Sequence, residues 1–418
     1  MTLPDVKVDS LCLSRELEQL ASFSDAAPPA VTRVLFTEPD RQARLFLKKL
    51  LAEAELSIRE DAVGNLFARW PGTEPALPAV GTGSHTDAIP FSGRYDGTVG
   101  VLGGLEAIRA LKGTGWQPRR SIELLMFTSE EPTRFGLGCL GSRLLSGSLD
   151  ADKAAQLKDG DGLTLEQVRR QAGCGGSLGD VRLPQRYYSA FVELHIEQGP
   201  LLERMQIAIG AVTAIAAPAA LRVQLEGEGG HAGAVLMPER KDALCAAAEI
   251  ILAVEAVAKS GGSADTVATT GVCRVHPGAI NSIPSQVTLE IDVRDIDLKK
   301  RDQVVKKLSD AIQDASRRGV RLQVELLNAD PPAQAGREVL GAIQTACQRL
   351  RLSCQPMVSR AYHDSLFMAR LCPTGMIFIP CKDGISHRPD EYSSPEAIAN
   401  GVRVLALTLA QLAEGAAR

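Results

Sequence analysis

The sequence predicts an α/β protein: a mixed, mostly parallel sheet with helices on both faces, interrupted by a smaller ferredoxin-like α+β insert. Three observations carry that prediction. The chain has 418 residues, which is room for roughly two or three domains. Its strand candidates come in two styles, continuous apolar runs in the outer parts and strict alternation in the middle. Helical stretches separate the apolar runs, as a sheet buried on both faces requires.

The apolar runs include Ile122 to Phe127 and Gly375 to Ile379, with helical stretches at Thr98 to Lys112 and Pro395 to Leu412. Ser394, Pro395 and Glu396 supply an N-cap, a preset first turn and an acid at the positive helix end, so the last helix begins there. In the middle of the chain Leu221, Val223 and Leu225 alternate with Arg222, Gln224 and Glu226. Val287, Leu289, Ile291 and Val293 alternate likewise with Thr288, Glu290, Asp292 and Arg294. Such strands bury one face. Thr266 to Val275 and Val320 to Leu326 add two more, while Arg240 to Lys259 and Leu298 to Arg317 read as amphipathic helices. The order is βαββαβ, the ferredoxin-like pattern. Pro218 and Asp330-Pro331-Pro332 are hinge signals, so the expected divisions are 1–216, 217–329 and 330–418, with the outer two forming one discontinuous domain.

Composition excludes several classes. With 45% hydrophobic and 23% charged residues, nothing favours disorder or a fibrous chain. Lys plus Arg number 46 against 50 Asp plus Glu, and a net charge of -4 argues against nucleic acid as a partner. No apolar run approaches the ~20 residues of a membrane span. Met1 to Glu18 lacks a basic segment followed by an apolar block, so no signal peptide is expected, and the chain is expected to be soluble and cytoplasmic. Nine cysteines without a C-x-x-C pair read as reduced thiols.

Chemistry is concentrated around the histidines. A lone histidine is more often a loop or core residue than a ligand, so the neighbours decide. His85 lies in Gly83-Ser84-His85-Thr86-Asp87, ahead of Asp96. Residues two apart share an extended face, so Asp87 is expected to accept the second ring N–H of His85. Glu130 and Glu131 follow the Ile122 to Phe127 strand, at the carboxyl edge where open α/β sheets place ligands. Adjacent side chains diverge, so one carboxylate can hold a cation while the other carries a proton. Glu193, His195 and Glu197 fall on one strand face, and Ser386-His387-Arg388-Pro389-Asp390 follows the Gly375 to Ile379 strand. Three histidines, Asp96 and Glu131 make a mixed N/O set without thiolate, which suits Mn²⁺ or Zn²⁺.

The order and spacing of these clusters resemble the hydantoinase/carbamoylase branch of the metal-dependent aminoacylase and carboxypeptidase superfamily, over nearly the whole chain. The residues that carry the resemblance are GSHTDAIPFSGRYDG at 83–97, FTSEEPTRFG at 127–136, ELHIEQGPLLE at 193–203, GHAGAVLMP at 230–238, HPGAINSIPS at 276–285 and ISHRPDEYSSPE at 385–396. Within the branch, residues 89–96, 130–136 and 359–368 look most like members that act on ureidoglycolate.

The resemblance implies two Mn²⁺ per subunit, with Zn²⁺ as the alternative metal. Asp96 would bridge them, His85 and His195 would complete one site, and Glu131 and His387 the other. Glu130 would be the general base for a water acidified by the cations, with Asp87 a further catalytic residue. His231 would cross a homodimer interface to donate to the oxyanion, making 217–329 both lid and dimerisation domain. Gln198, Asn281, Arg294, Tyr362 and His363, together with Glu130 and His231, would contact substrate. Arg294 is on the polar face of its strand, where a guanidinium fork can hold a carboxylate. The implied reaction converts (S)-ureidoglycolate to glyoxylate, ammonia and carbon dioxide in purine-ureide breakdown. Allantoate or an N-carbamoyl-L-amino acid is the alternative substrate, and a metal-free dimeric binding protein is the alternative of another class. Related plant enzymes are directed to the endoplasmic reticulum, which would apply here if a leader had been removed.

Overall fold

The structure, a computed structural model, describes residues 4–415. Met1, Thr2 and Leu3 of the N-terminal stretch, and the last three residues of the expected 330–418 segment, lie outside the described residues. The described residues form two compact units, one within Met1–Thr213, Gln334–Met357 and His363–Arg418 and the other Ala214–Ala333 and Val358–Tyr362.

The first unit is built on a nine-stranded sheet. Its central run is Ile209–Ile215, Thr374–Ile379, Tyr188–Ile196, Ala79–His85, Ile122–Phe127, Leu66–Trp70 and Ser57–Glu60. Parallel pairing runs through the four strands from Thr374–Ile379 to Ile122–Phe127, and the next strand on each flank pairs antiparallel. The sheet is therefore mixed, not mostly parallel. At the Ser57–Glu60 edge the cause is local: the Gly64 N–H donates to the Asp61 carbonyl at 3.0 Å, closing a turn before Leu66–Trp70. So short a connection can only join antiparallel strands.

Alternation along the buried strands shows why they carry apolar residues on both faces. Ile122, Leu124 and Met126 enter one core with Leu102, Leu105 and Leu405, while Leu125 and Phe127 enter another with Leu140, Leu144 and Val168. Helices Thr98–Lys112 and Pro395–Glu414 thus cover one side and Leu140–Ser146 and Leu165–Gln171 the other. The last helix starts as its cap demands, with the Ala397 N–H donating to Ser394 Oγ at 3.1 Å. Gly83, inside Ala79–His85, has φ 149°, and a Cβ there would lie 2.0 Å from the Leu125 carbonyl oxygen. Gly83→Ala is expected to destabilise this unit by about 2–4 kcal/mol. Urea denaturation checks it, and an unchanged midpoint would contradict it.

The second unit holds a four-stranded antiparallel sheet in the order Val267–His276, Gln286–Asp295, Ala217–Glu226, Arg321–Ala329. Numbered along the chain this is 4-1-3-2 read from the other edge, the winding of a βαββαβ unit. Leu221, Val223, Leu289 and Ile291 pack on Ile250 and Val254 of helix Ala243–Gly261 and on Val304 and Leu308 of helix Leu298–Asp314. The other face is wet, where Arg222 pairs with Glu290 and Glu325, each at 3.1 Å. Ala243–Gly261 begins later than the expected Arg240 because Asp242 accepts the N–H groups of Leu244 and Cys245 at 2.9 and 3.1 Å. Among the described residues, no helix is long and apolar enough to cross a membrane.

Candidate active site

The carboxyl ends of the four parallel strands gather the chemistry of the first unit. His85 ends Ala79–His85, Glu130 and Glu131 follow Ile122–Phe127, His195 is next to last in Tyr188–Ile196, and His387 lies beyond Thr374–Ile379. Asp96 arrives from the loop before helix Thr98–Lys112. That loop closes on His85 only because residue 97 is glycine: its φ is 65°, and a Cβ would lie 2.4 Å from His85 Nε2. Ser129, Gln198 and His387 also adopt left-handed φ values of 56°, 55° and 59°. Non-glycine residues bear this at a cost on the order of 1–3 kcal/mol each, typical of functional turns.

Asp96 is the centre. Its Oδ1 is 3.5 Å from His85 Nε2 and 3.1 Å from His195 Nε2, and its Oδ2 is 3.1 Å from His387 Nε2. His387 Nε2 is also 3.3 Å from Glu131 Oε1. Two ligand groups result, His85–Asp96–His195 and Asp96–Glu131–His387, each with its donor atoms within 4.8 Å of one another. The tautomers agree with that use. His85 Nδ1–H donates to the Asp87 carbonyl at 3.0 Å and His195 Nδ1–H to the Ile196 carbonyl at 2.8 Å, which turns Nε2 of both rings toward Asp96, where it can hold either a proton shared with that carboxylate or a cation in the proton's place. The donor chemistry fits a cation in that position: an imidazole–carboxylate set without thiolate suits a pair of divalent ions such as Mn²⁺ or Zn²⁺.

A third group, Glu193–His195–His363, is fully buried. Ser84 Oγ and Ser365 Oγ donate to the two Glu193 oxygens at 2.7 and 2.6 Å, which satisfies that carboxylate within the protein. Glu197, expected on the same face, instead accepts the N–H groups of Leu201 and Leu202, both at 2.8 Å, at the start of the next helix.

Asp87 differs from expectation. Its Oδ1 stays 3.7 Å from His85 Nδ1, because the strand ends at His85 and the turn offers the Asp87 carbonyl instead. The carboxylate accepts the main-chain N–H of Glu130 at 3.2 Å and of Glu131 at 3.0 Å, so it holds both acids in place. Glu130 stands outside the two ligand groups, with Oε2 3.9 Å from His85 Nε2. Burial pushes its carboxyl well above the usual range, a push that His85 opposes and Glu131 reinforces. Burial likewise lifts Asp87 to about 6. Asp96 goes the other way: burial would raise it, but hydrogen bonds from His195, His387 and His85 hold it well below the ordinary value.

Of the expected substrate contacts, Gln198 and His363 belong to the first unit. Gln198 Nε2 donates to Asp96 Oδ2 at 2.7 Å, and its Oε1 is buried without a hydrogen-bond partner. His363 is buried with its ring 4.6 Å from that of His195. His231, Asn281, Arg294 and Tyr362 belong to the second unit. His231 is exposed, and the Gly233 N–H donates to its Nδ1 at 3.1 Å, so the neutral ring carries its proton on Nε2. The Arg294 fork is engaged by Asp292 at 2.8 and 3.2 Å and donates to the Arg360 carbonyl at 2.9 Å. Tyr362 Oη donates to Asp330.

Sequence reasoning missed Glu391, Ser386 and Cys139. Glu391, lifted to about 7 by burial and the Asp96 charge, accepts the N–H groups of Tyr95 and Asp96. Cys139 Sγ lies 3.5 Å from Glu130 Oε1. The one available signal was position, since Ser386 and Glu391 flank His387 in Ser386-His387-Arg388-Pro389-Asp390-Glu391.

Hydrogen bonds to Asp96 and then Glu131 push His387 up to about 10 from the ordinary imidazole value of 6.5. Its protonation therefore stabilises the metal-free fold in full below about 6.5, and that contribution disappears as pH rises through about 10. A cation at Nε2 must displace the same proton. The Mn²⁺ affinity of metal-free protein should thus climb with pH across this window, up to about tenfold per unit for one released proton. Calorimetry at several pH values checks this, and an affinity that stays level would contradict it.

Comparison with known proteins accords with this geometry. The sequence pattern of peptidase family M20/M25/M40 matches residues 81–411. The chain is 56% identical to the ureidoglycolate hydrolase of Oryza sativa subsp. japonica, over 97% of this chain and 85% of that protein. Among solved structures it is 54% identical to AtUAH in complex with glyoxylate and to AtUAH in complex with (S)-hydroxyglycine, each at a TM-score of 0.90 with 98% of both chains covered. With a family match over most of its length and clustered ligand groups at the matching sheet edge, this chain belongs to peptidase family M20/M25/M40, a family of metal-dependent hydrolases.

Proposed function

We propose that the chain is a ureidoglycolate amidohydrolase, releasing glyoxylate, ammonia and carbon dioxide from (S)-ureidoglycolate in purine-ureide catabolism. The observation that carries this reading is Asp96 shared between two ligand groups with Glu130 beside them but in neither. High identity to a rice ureidoglycolate hydrolase, and to a protein seen with glyoxylate and with (S)-hydroxyglycine, supports the substrate.

His85, Asp96 and His195 would hold one divalent cation, Mn²⁺ in this reading, and Asp96, Glu131 and His387 the other. Bound cations supply Lewis acidity toward a carbonyl and make a water easier to deprotonate. The side chains do the rest. Glu130 takes the water proton and delivers it to the leaving nitrogen, the paired work of a general base and then a general acid. Asp87 fixes the main chain of Glu130 and Glu131 through two hydrogen bonds. The unpartnered Gln198 Oε1 is an acceptor suited to a ureido N–H. His231, protonated at Nε2, serves as oxyanion donor across a homodimer whose dimerisation and lid domain spans 217–329, between catalytic segments 1–216 and 330–418. Arg294, Asn281, Tyr362 and His363 complete the substrate contacts, with Arg294 exchanging Asp292 for the substrate carboxylate.

The test is ammonia release from ureidoglycolate, allantoate and an N-carbamoyl-L-amino acid, by protein stripped with chelator and by the same protein reloaded with Mn²⁺. Release from ureidoglycolate that vanishes on stripping and returns on reloading is expected. Turnover of allantoate alone would overturn the substrate.

A further inference from the structure

Glu391 belongs to neither ligand group, yet it is only 4% exposed. A carboxylate tolerates such burial only with partners. Its Oε1 accepts the main-chain N–H of Tyr95 at 2.8 Å and of Asp96 at 3.1 Å. Its Oε2 accepts Ser386 Oγ at 2.8 Å, and Ser386 Oγ is also 3.0 Å from Asp96 Oδ2. Gly93 leaves the space for this contact, since a Cβ there would be 2.3 Å from Glu391 Cβ and 2.4 Å from Oε1. The Tyr95 and Tyr392 rings meet edge-on at 6.0 Å beside it. One carboxylate therefore joins the loop that carries Asp96 to the loop that carries His387.

We propose that Glu391 is a positioning residue that sets the Asp96 carboxylate so that one oxygen faces each ligand group. The inference rests on the metal-pair reading above. Asp96 is the single side chain common to both groups, so a rotation of its carboxylate displaces a donor atom in each. Glu391 limits that rotation from the main-chain side, and Ser386 and Gln198 limit it from the side-chain end. Its loss should weaken occupancy of the pair more than of a first ion, because a tilted carboxylate can still serve one group.

Metal-free protein titrated with Mn²⁺, followed by calorimetry and electron paramagnetic resonance, reads this without reference to turnover. Wild type is expected to take up two ions and to give the exchange-broadened spectrum of a close pair. Glu391→Ala should bind the second ion roughly 10- to 100-fold more weakly, the usual penalty for losing a group behind a metal ligand. Its spectrum at matched loading should be the resolved one of isolated Mn²⁺. Glu391→Gln keeps the Oε1 acceptor and should restore most of the pair. Gly93→Ala displaces Glu391 by a different route and should behave as Glu391→Ala does, which keeps the test in force if Glu391→Ala fails to fold. A folded Glu391→Ala with wild-type affinity and pair spectrum overturns the proposal, as does Glu391→Gln no better than Glu391→Ala. Wild type binding fewer than two ions overturns the metal-pair reading itself and this inference with it.

Discussion

Glu130→Gln is expected to lower kcat by roughly 10²–10⁴-fold, the range for removing a general base, while metal content stays at the wild-type level. The separation follows from geometry. Glu130 is in neither ligand group, and its closest approach to a ligand nitrogen is 3.9 Å, to His85 Nε2. Glutamine has the same shape, so the Asp87 bonds to the main chain at 130 and 131 survive. The base acts as carboxylate, so wild-type turnover should show an acidic limb as that group is protonated, and the variant should lose that limb of the profile. Ammonia release and elemental analysis on one preparation give both quantities. Unchanged kcat sinks the assignment, and lost metal would make Glu130 a ligand instead.

How much of this was legible in the sequence depended on where each residue stood relative to a buried strand. Glu130, Glu131 and His387 follow the apolar runs Ile122 to Phe127 and Gly375 to Ile379, and the change from apolar to polar marks a strand end on sight, whereas His85 ends a strand of small and polar residues and was found by its neighbours Asp87 and Asp96. The second unit was legible for the opposite reason: its wet face forces strict alternation, visible in Leu221 to Glu226 and Val287 to Arg294. Glu391 gave no such signal. A carboxylate in a loop of proline, serine and charge looks solvated, and its partners Tyr95 and Asp96 are 296 and 295 residues away. Asp87 misled because same-face alternation holds only while the strand continues, and this one stops at His85. Arg294 read as an open fork, but Asp292, two residues back on the same face, engages it. Local pattern identifies edges and faces; it cannot identify partners supplied by the fold.

Asp96 gives the second large effect, and two substitutions divide it. Asp96→Ala removes the shared donor from both groups, leaving two histidines in one and Glu131 with His387 in the other. Mn²⁺ affinity should fall by more than about 100-fold, beyond the penalty for losing a group behind a ligand, and turnover should become undetectable. Asp96→Asn keeps one oxygen and replaces the other with an amide nitrogen, which cannot ligate, so it should retain one ion and lose the second. The variants also test what holds the metal-free fold together. Asp96 is depressed, so its stabilisation is present above its unfolded value of ~3.9 and lost as pH falls through the lower folded one. The histidines around it are raised, so theirs is complete below ~6.5 and lost as pH rises through their folded values, about 10 for His387. Both conditions hold between roughly pH 4 and 6.5. Asp96→Ala should therefore destabilise metal-free protein most in that interval and progressively less toward pH 10, where the uncharged rings no longer need the carboxylate. Thermal unfolding across pH decides it: a penalty that grows with pH would mean that Asp96 is held by something other than the three histidines.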